Sequence, residues 1–219
     1  MEEIVIFGLG DIAQIAHYYF KTDSNYKVVA FTVDRDYATS NEFESLPVIP
    51  FDEITIKYPP QNFKMFIAVS YAKLNKVREQ KYYEAKKLGY QLVSYISSKC
   101  TWLTPYDHGD NCFVFEDNTV QPFVKMGNNV TLWSGNHIGH HSTIHDHNFI
   151  SSHVVVSGHC TINSNSFIGV NSTIGHQVEI GGENIIGAGS IITKSTGFGE
   201  VYIPAKSIKL EKSSSAIKL

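Results

Sequence analysis

Large apolar residues recur at every sixth position through much of the second half of the chain. The ladder consists of Val114, Val120, Met126, Leu132, Ile138, Ile144, Ile150, Val156, Ile162, Ile168, Ile174, Ile180, Ile186 and Ile192. An α-helix advances by about 600° over six residues, so these positions would wander around its axis instead of forming one stripe. A short strand followed by a corner, repeated along the chain, accounts for the period.

Glycine often follows the apolar residue, and a small or short residue such as Ser142 or Cys160 comes four places after most members of the ladder. Repeats of the form Ile-Gly-x-x-Ser-x resemble those of the hexapeptide transferases. The resemblance implies a left-handed parallel β-helix in which three hexads form one triangular coil with the aliphatic side chains inside. Positions one coil apart would then stack at the ordinary strand spacing of roughly 4.8 Å.

The first half of the chain has a different pattern, in which short apolar strands alternate with helices. Strands are predicted at residues 3–7, 27–33, 64–69 and 91–96, and helices from the turn at 8–13 to residue 19 and at 74–88. The segment 36–50 carries no clear motif. The pattern predicts a small α/β sheet of the Rossmann kind that lacks a second mononucleotide-binding half.

These two patterns predict two domains, at residues 1–97 and 98–219. Ile96 and Trp102 already fall on the sixfold register, but His108 breaks it. We therefore expect a linker at about 97–111 and coils that begin near Val114. The fold class expected for the whole chain is an α/β half-Rossmann domain followed by a left-handed parallel β-helix.

Composition and charge exclude several classes of partner. The chain has 219 residues, a net charge of −3 and three cysteines without zinc-finger or CxxC spacing. An acidic balance, with a pI near 6.3, gives no reason to expect nucleic acid or an anionic membrane as a partner. The first residues do not resemble a signal peptide, and no apolar run approaches the ~20 residues needed to span a bilayer. We expect a cytoplasmic protein.

The first strand is followed by the turn Gly8-x-Gly10-x-x-Ala13, which leads into a helix. Such a turn directs backbone N–H groups at a helix N-terminus and can bind a pyrophosphate, although a plain tight turn between strand and helix has the same pattern. Asp34 ends the second strand. It could hydrogen-bond a ribose or base, or equally cap a turn.

The histidines are crowded into the first coils. Seven of the ten lie between residues 137 and 159, namely His137, His140, His141, His145, His147, His153 and His159. Counted from the apolar residue of each hexad, His140 and His176 hold the third position, and His141, His147, His153 and His159 hold the fourth. These positions lie at corners, so the side chains face solvent or another subunit. A neutral imidazole there could accept the proton of an attacking amine or hydroxyl.

The two domains in this order resemble the sugar acetyltransferases related to sialic acid O-acetyltransferases and to the nucleotide-amino-sugar N-acetyltransferases of bacterial glycan synthesis. The resemblance implies that the N-terminal domain binds a nucleotide-linked sugar and that the β-helix forms a homotrimer with acetyl-CoA sites between subunits. It implies the substrate-binding residues Gly8, Gly10, Asp11, Asp34, Arg35 and Ser70. It also implies the acetyl-CoA-binding residues Phe149, Gly169, Val170, Gly187 and Ala188.

By the same resemblance, His140 is the general base of acetyl transfer. Relatives commonly place a carboxylate directly after this histidine, where this chain has His141. The nearest acid in sequence, Asp146, lies one corner further on, and could either serve a site or cap a turn. No serine or cysteine nucleophile is required, and we expect no metal cofactor.

The sequence favours an acetyl-CoA-dependent N-acetyltransferase acting on a nucleotide-linked amino sugar. O-acetylation of sialic acid or another glycan sugar is the close alternative. γ-Type carbonic anhydrases also use this β-helix and bind zinc through histidines shared between subunits, and the five-residue offset of His140 and His145 is compatible with such ligands. A hydratase would not need a nucleotide-binding domain. A trimeric scaffold that only binds a nucleotide sugar would leave the histidine cluster unexplained.

Overall fold

The N-terminal half of the chain is a five-stranded sheet with helices on its faces. The computed structural model describes residues 1–209, 211 and 214–216. The strands of the sheet are β1 (Glu2–Phe7), β2 (Tyr26–Val33), β3 (Glu42–Phe43), β4 (Leu46–Pro50) and β5 (Lys64–Ile67), and the helices are α1 (Asp11–Thr22), α2 (Ile54–Lys57) and α3 (Lys76–Lys87). The strand order is β3-β4-β2-β1-β5, and only the β3–β4 pair is antiparallel. This is the predicted half-Rossmann arrangement.

Two segments of this half differ from the prediction. The segment 36–50, which carries no sequence motif, contains the β3–β4 hairpin, whose turn residues Glu44 and Ser45 have φ of 49° and 61°. Left-handed conformations at both turn positions match the twist of paired strands, so a two-residue hairpin fits here. Of the strand predicted at 91–96, only Tyr95–Ile96 form a strand, and they pair with the β-helix instead of this sheet. Leu92 makes only an isolated bridge to Met65.

The rest of the chain consists of two-residue strands separated by corners. They are β6 (Tyr95–Ile96), β7 (Thr101–Trp102), β8 (Phe113–Val114), β9 (Thr119–Val120), β10 (Lys125–Met126), β11 (Thr131–Leu132), β12 (His137–Ile138), β13 (Thr143–Ile144), β14 (Phe149–Ile150), β15 (Val155–Val156), β16 (Thr161–Ile162), β17 (Phe167–Ile168), β18 (Thr173–Ile174), β19 (Glu179–Ile180), β20 (Ile185–Ile186), β21 (Ile191–Ile192) and β22 (Val201–Tyr202).

Each strand pairs in parallel with the strands three places away in the chain. Leu132, for example, lies beside Val114 and Ile150, so one coil takes eighteen residues as the resemblance implied. The strands form a seven-stranded, a six-stranded and a four-stranded face. All members of the ladder point inward and are at most 7% exposed. Stacked aliphatic side chains therefore fill the interior of the prism.

The coils begin earlier than the sequence pattern predicts. β6 already pairs with β8, β7 pairs with β9, and His108 bridges Met126. Thus His108 does not break the register; it occupies the third inward position of the first coil. This coil is the open end of the prism, so its third side can carry an exposed polar residue where later coils need an aliphatic one.

The corners share one backbone conformation. The fourth residue of every hexad from Asn111 to Gly189 has a positive φ. Non-glycine residues tolerate this left-handed conformation best when they are Asn, Asp or His. We name the corners by their fourth residues: corner 1, between the four- and seven-stranded faces, has Asn129, His147 and Asn165; corner 2, between the seven- and six-stranded faces, has Gly135, His153 and Asn171; corner 3, between the six- and four-stranded faces, has His141, His159 and Gln177.

The N-terminal domain packs against the seven-stranded face and corner 1. The guanidinium of Arg78, on α3, is buried and donates hydrogen bonds to the carbonyl oxygens of Asn129, His147 and Asn148 at 3.1–3.3 Å. Burial lowers the pKa of Arg78 to about 9, which still leaves it charged at neutral pH. None of the helices in the described part of the chain is long and apolar enough to cross a membrane.

Candidate active site

A cleft of about 660 Å³ opens at the carboxyl ends of β1, β2 and β5. In a parallel sheet these ends meet at one edge, which is where ligands of such folds bind. The cleft brings together five of the six residues predicted to bind substrate: Gly8, Gly10, Asp11, Asp34 and Ser70.

The glycine turn at the floor of the cleft has two different constraints. Gly8 has φ of 127°, and a Cβ there would lie 2.6 Å from the carbonyl oxygen of Ala68, so only glycine fits. Gly10 precedes α1 with no side-chain cap, and a Cβ on it would have open space for 4 Å. The tight-turn interpretation therefore explains Gly8. Gly10 leaves the N-terminus of α1 open to the cleft, and its part in binding a pyrophosphate stays a prediction.

Asp34 pairs with a lysine that the sequence analysis missed. The Nζ of Lys81 lies 2.7 Å from an oxygen of Asp34 and 2.7 Å from one of Glu84, and 5.5 Å from the ring centroids of Phe7 and Phe51. Burial alone would lower the pKa of Lys81, but the two carboxylates outweigh it and the pKa is raised. Lys81 lines the cleft, so a cation is held beside the acid at the end of β2.

Arg35 is the predicted substrate residue that does not line this cleft. Its guanidinium is bound instead by Asp52 and Glu53, both at 2.7 Å, on the exposed surface. The side chain is thus held by the acids at the end of β4. Its predicted contact with substrate has no support from its position.

Two aromatic side chains that the sequence did not indicate also line the cleft. Tyr71 follows Ser70 and packs its ring against Phe149 and Phe167 at 5.0 and 4.8 Å. Trp133 lies at corner 2, and its buried Nε1 has no hydrogen-bond partner among the described residues. The cleft therefore extends from the edge of the sheet to the β-helix.

Corner 2 also carries four of the residues predicted to bind acetyl-CoA. Two of them lie two coils beyond Trp133, and the other two lie three coils beyond it. Gly169 and Val170 lie in one coil, and Gly187 and Ala188 in the next. A Cβ on Gly169 would be 2.5 Å from the backbone N of Ala188, so the close stacking of coils requires glycine here whatever its part in binding.

Phe149 is not at this corner. It lies on the seven-stranded face, 3% exposed, where it contacts Tyr71 and the guanidinium of Arg78. Phe149 therefore belongs to the packing between the two domains. A contact of Phe149 with acetyl-CoA stays a prediction without support from its surroundings.

His140 lies at corner 3 with its ring exposed. Its Nδ1 is 3.1 Å from the Nδ1 of His141, and its backbone N–H donates to the side chain of Gln121 at 2.9 Å. The other edge of the ring lies over Gly158 in the next coil, and the Nε2 has no hydrogen-bond partner among the described residues. One nitrogen is thus positioned by a second imidazole, while the other is available to a ligand.

Asp146 is not near His140. It lies at corner 1, where a carboxylate oxygen accepts the backbone N–H of Asn128 at 2.7 Å. This supports the interpretation of Asp146 as a turn cap. His145 precedes it on the same corner, so one chain does not bring His140 and His145 together, as a zinc site within a single subunit would require.

His147 is buried between the domains. Its Nδ1 lies 2.9 Å from the side-chain nitrogen of Asn129, and its Nε2 is 3.3 Å from the hydroxyl of Tyr83. Burial lowers the pKa of His147, although Glu79 opposes the shift. It is a packing residue of corner 1 and not part of a solvent-facing site.

The repeats define the class of protein by its fold. Residues 123–158 match the family model described as bacterial transferase hexapeptide (six repeats). The chain thus contains hexapeptide repeats, and solved structures with the same fold confirm a left-handed parallel β-helix after an α/β domain. No curated protein matches the sequence.

The solved structures to which the chain is similar include particular acetyltransferases. The acetyltransferase domain of PglB from Neisseria gonorrhoeae is 22% identical, with a TM-score of 0.81 over 95% of this chain and 100% of that one. PerB from Caulobacter crescentus, solved with CoA and GDP-perosamine, is 20% identical, with a TM-score of 0.80 over 94% and 97%. WeeI from Acinetobacter baumannii is 20% identical, with a TM-score of 0.77 over 92% and 96%. Both domains of this chain therefore share the fold of these proteins, in the same order.

Proposed function

We propose that this protein is an acetyltransferase that moves the acetyl group of acetyl-CoA to the amine of a nucleotide-linked amino sugar. The observation that carries the proposal is the cleft at the edge of the half-Rossmann sheet, which reaches Trp133 at corner 2 of the β-helix. The residues implied to line the acetyl-CoA site occupy the same corner further along the axis. One surface thus joins a nucleotide-type cleft to the acyl-donor groove.

The similar structures support both ligands. The PglB acetyltransferase domain has been solved with acetyl coenzyme A, and PerB with CoA and GDP-perosamine. A perosamine N-acetyltransferase among these structures favours an amine over a hydroxyl as the acceptor. No step of the reaction needs a metal cofactor, and a cytoplasmic location stays a prediction.

In one chain the base and the cleft lie at different corners, so a second copy completes the site. His140 is at corner 3, and the six-stranded face separates it from Trp133 at corner 2. The outward residues of the six-stranded face are Thr101, Thr119, His137, Val155, Thr173 and Ile191. Those of the four-stranded face are Lys125, Thr143, Thr161 and Glu179.

The less charged six-stranded face is the proposed subunit interface, since interface cores are depleted of charge. Packing this face around a threefold axis would bring corner 3 of one chain to corner 2 of the next. The proposed homotrimer would then contain three sites, each with His140 from one chain and a cleft from its neighbour.

The transfer follows from these groups. The unprotonated amine attacks the thioester carbonyl carbon, His140 Nε2 accepts the proton of the amine, and the C–N bond forms. The tetrahedral intermediate collapses, the C–S bond breaks, and the sulfur of CoA leaves with the proton from the imidazolium. His141 orients the ring through Nδ1, with an imidazole in the place of the usual carboxylate.

Thiol release from acetyl-CoA tests the proposal. Wild type, His140→Ala and the matched control His176→Ala, at the same third position of corner 3, are assayed with UDP-, dTDP- and GDP-linked 3-amino and 4-amino sugars and with free sialic acid. We expect turnover with one amino sugar, retained in His176→Ala and reduced by roughly 10²–10⁴-fold in His140→Ala. Turnover with sialic acid alone would establish O-acetylation instead, and no thiol release with any acceptor would refute the proposal.

A further inference from the structure

Three imidazoles converge at corner 3. His140 and His141 are neighbours in one coil, and His159 holds the fourth position of the same corner in the next coil. All three side chains are exposed. One ring nitrogen of each lies within 4.8 Å of a ring nitrogen of the other two. The rings of His141 and His159 are stacked, with centroids 4.8 Å apart and planes 9° from parallel.

The backbone conformation does not require histidine at these positions. Fourth positions elsewhere hold Asn165, Asn171 and Gln177 with the same positive φ. Any polar residue that tolerates the left-handed region would therefore serve the corner. The convergence of three imidazoles is a property of the side chains, so it needs an explanation beyond the turn.

The spacing is close to that of a tetrahedral metal site. Zinc binds imidazole nitrogen at about 2.0–2.1 Å, which places two such ligands roughly 3.3 Å apart. The Nδ1 atoms of His140 and His141 are 3.1 Å apart. The ligand atoms of all three residues lie within 4.8 Å of one another, but the His159 ring is stacked on that of His141, so it must turn about its side-chain bonds before both rings can point at one ion. The main chain is already fixed, because the N–H of His159 donates to the carbonyl of His140 at 2.9 Å.

The ligand set also indicates which metal fits. No ion pair of the described residues involves these rings, so the site consists of imidazole without carboxylate. Imidazole suits zinc, copper and nickel, whereas magnesium and calcium require oxygen ligands. Three protein ligands leave a fourth tetrahedral position open.

We propose that His140, His141 and His159 of one chain bind one Zn²⁺ ion and that this ion inhibits the enzyme. The inhibition rests on the proposed function, because an imidazole that binds zinc through Nδ1 carries its remaining proton on Nε2, and this Nε2 can then no longer accept the proton of the amine. Zinc is here a reversible inhibitor and not a cofactor of the transfer. All the ligands come from one subunit, so binding does not depend on the proposed trimer.

Zinc binding is measured first, without any substrate. Chelator-treated wild type, His159→Asn and the matched control His153→Asn are titrated with ZnCl₂ by calorimetry, and the bound metal is counted after desalting. His153 holds a fourth position at corner 2, and asparagine already occupies the fourth position at Asn165 and Asn171. We expect about one zinc per chain in wild type and His153→Asn, and an affinity at least roughly tenfold weaker in His159→Asn.

Inhibition is measured second, by thiol release with increasing ZnCl₂. His159→Asn should keep the basal rate and need at least roughly tenfold more zinc for inhibition than wild type. Failure to bind zinc at one per chain, or equal affinity in wild type and His159→Asn, would overturn the site. Specific binding without inhibition would overturn the inhibitory part alone. Because the first measurement uses no acetyl-CoA, its result stands apart from whether the protein is an acetyltransferase.

Discussion

Replacing Gly158 with alanine should displace the proposed base without changing it. A Cβ at Gly158 would lie 2.7 Å from Cε1 and 2.8 Å from Nε2 of His140. Carbon atoms in contact are normally about 3.5 Å apart or more, so the ring must move by at least about 0.8 Å. The atoms that clash are the end of a side chain, which can rotate away, so the backbone of the coil is not under strain.

A displacement of this size has a large effect on proton transfer. Misplacing a reacting group by about 1 Å can reduce the rate about 10²-fold. We expect kcat for thiol release in Gly158→Ala to fall roughly 100-fold, which corresponds to about 2.7 kcal/mol in the activation free energy. The KM for acetyl-CoA should change little, because the implied acetyl-CoA residues lie at corner 2.

Gly182→Ala is the matched control for this experiment. Gly182 holds the third position of its hexad, as Gly158 does, but a Cβ there meets its nearest neighbours at the ordinary distance of 3.4 Å. Both variants should melt within a few degrees of wild type, and Gly182→Ala should keep its full rate. A Gly158→Ala enzyme with wild-type kcat would refute the assignment of the ring of His140 to the chemistry, provided that the amine-acetylating activity itself is established.

Two further predictions concern stability. Ile162 is fully buried between Ile144 and Ile180, so Ile162→Ala should lower the free energy of unfolding by about 2–5 kcal/mol in urea titrations followed by circular dichroism; a loss below about 1 kcal/mol would contradict the close packing of the prism. Folding lowers the pKa of His147 below the 6.5 of the unfolded chain, so below pH 6.5 the unfolded chain binds this proton more tightly than the folded protein does. The contribution of His147 to stability is therefore fully present above pH 6.5 and is lost as the pH falls below it. Melting temperatures measured across this range should fall less steeply in His147→Asn, and an equal slope would refute the contribution of His147.

The β-helix could be predicted from the sequence because its core repeats. Each rung of the ladder has the same surroundings, so a single residue pattern occurs fourteen times from Val114 to Ile192 and the fold follows from its period. The first coil could not be predicted in this way. It forms the end of the prism, where His108 has no coil below it to enclose its side chain.

The packing between the domains was hidden by the composition of α3. Lys and Glu dominate this helix, yet Arg78 and Lys81 point into the molecule. Arg78 is held by backbone carbonyls of corner 1, and Lys81 by Asp34 and Glu84. Hydrophobic periodicity cannot reveal such a face, because the groups that satisfy these cations come from distant parts of the chain.

The arrangement of corners determines which sequence predictions can belong to one site. Residues close in sequence, such as His140 and Asp146, lie at different corners, because six residues move the chain to the next face of the prism. Residues eighteen apart, such as His141 and His159, lie side by side. A functional site on this fold is therefore formed along the axis, by residues at the same corner of successive coils. The proposed zinc-binding cluster and the proposed acetyl-CoA groove both follow this rule, whereas the proposed base and the nucleotide-type cleft do not share a corner, so a neighbouring chain would have to unite them.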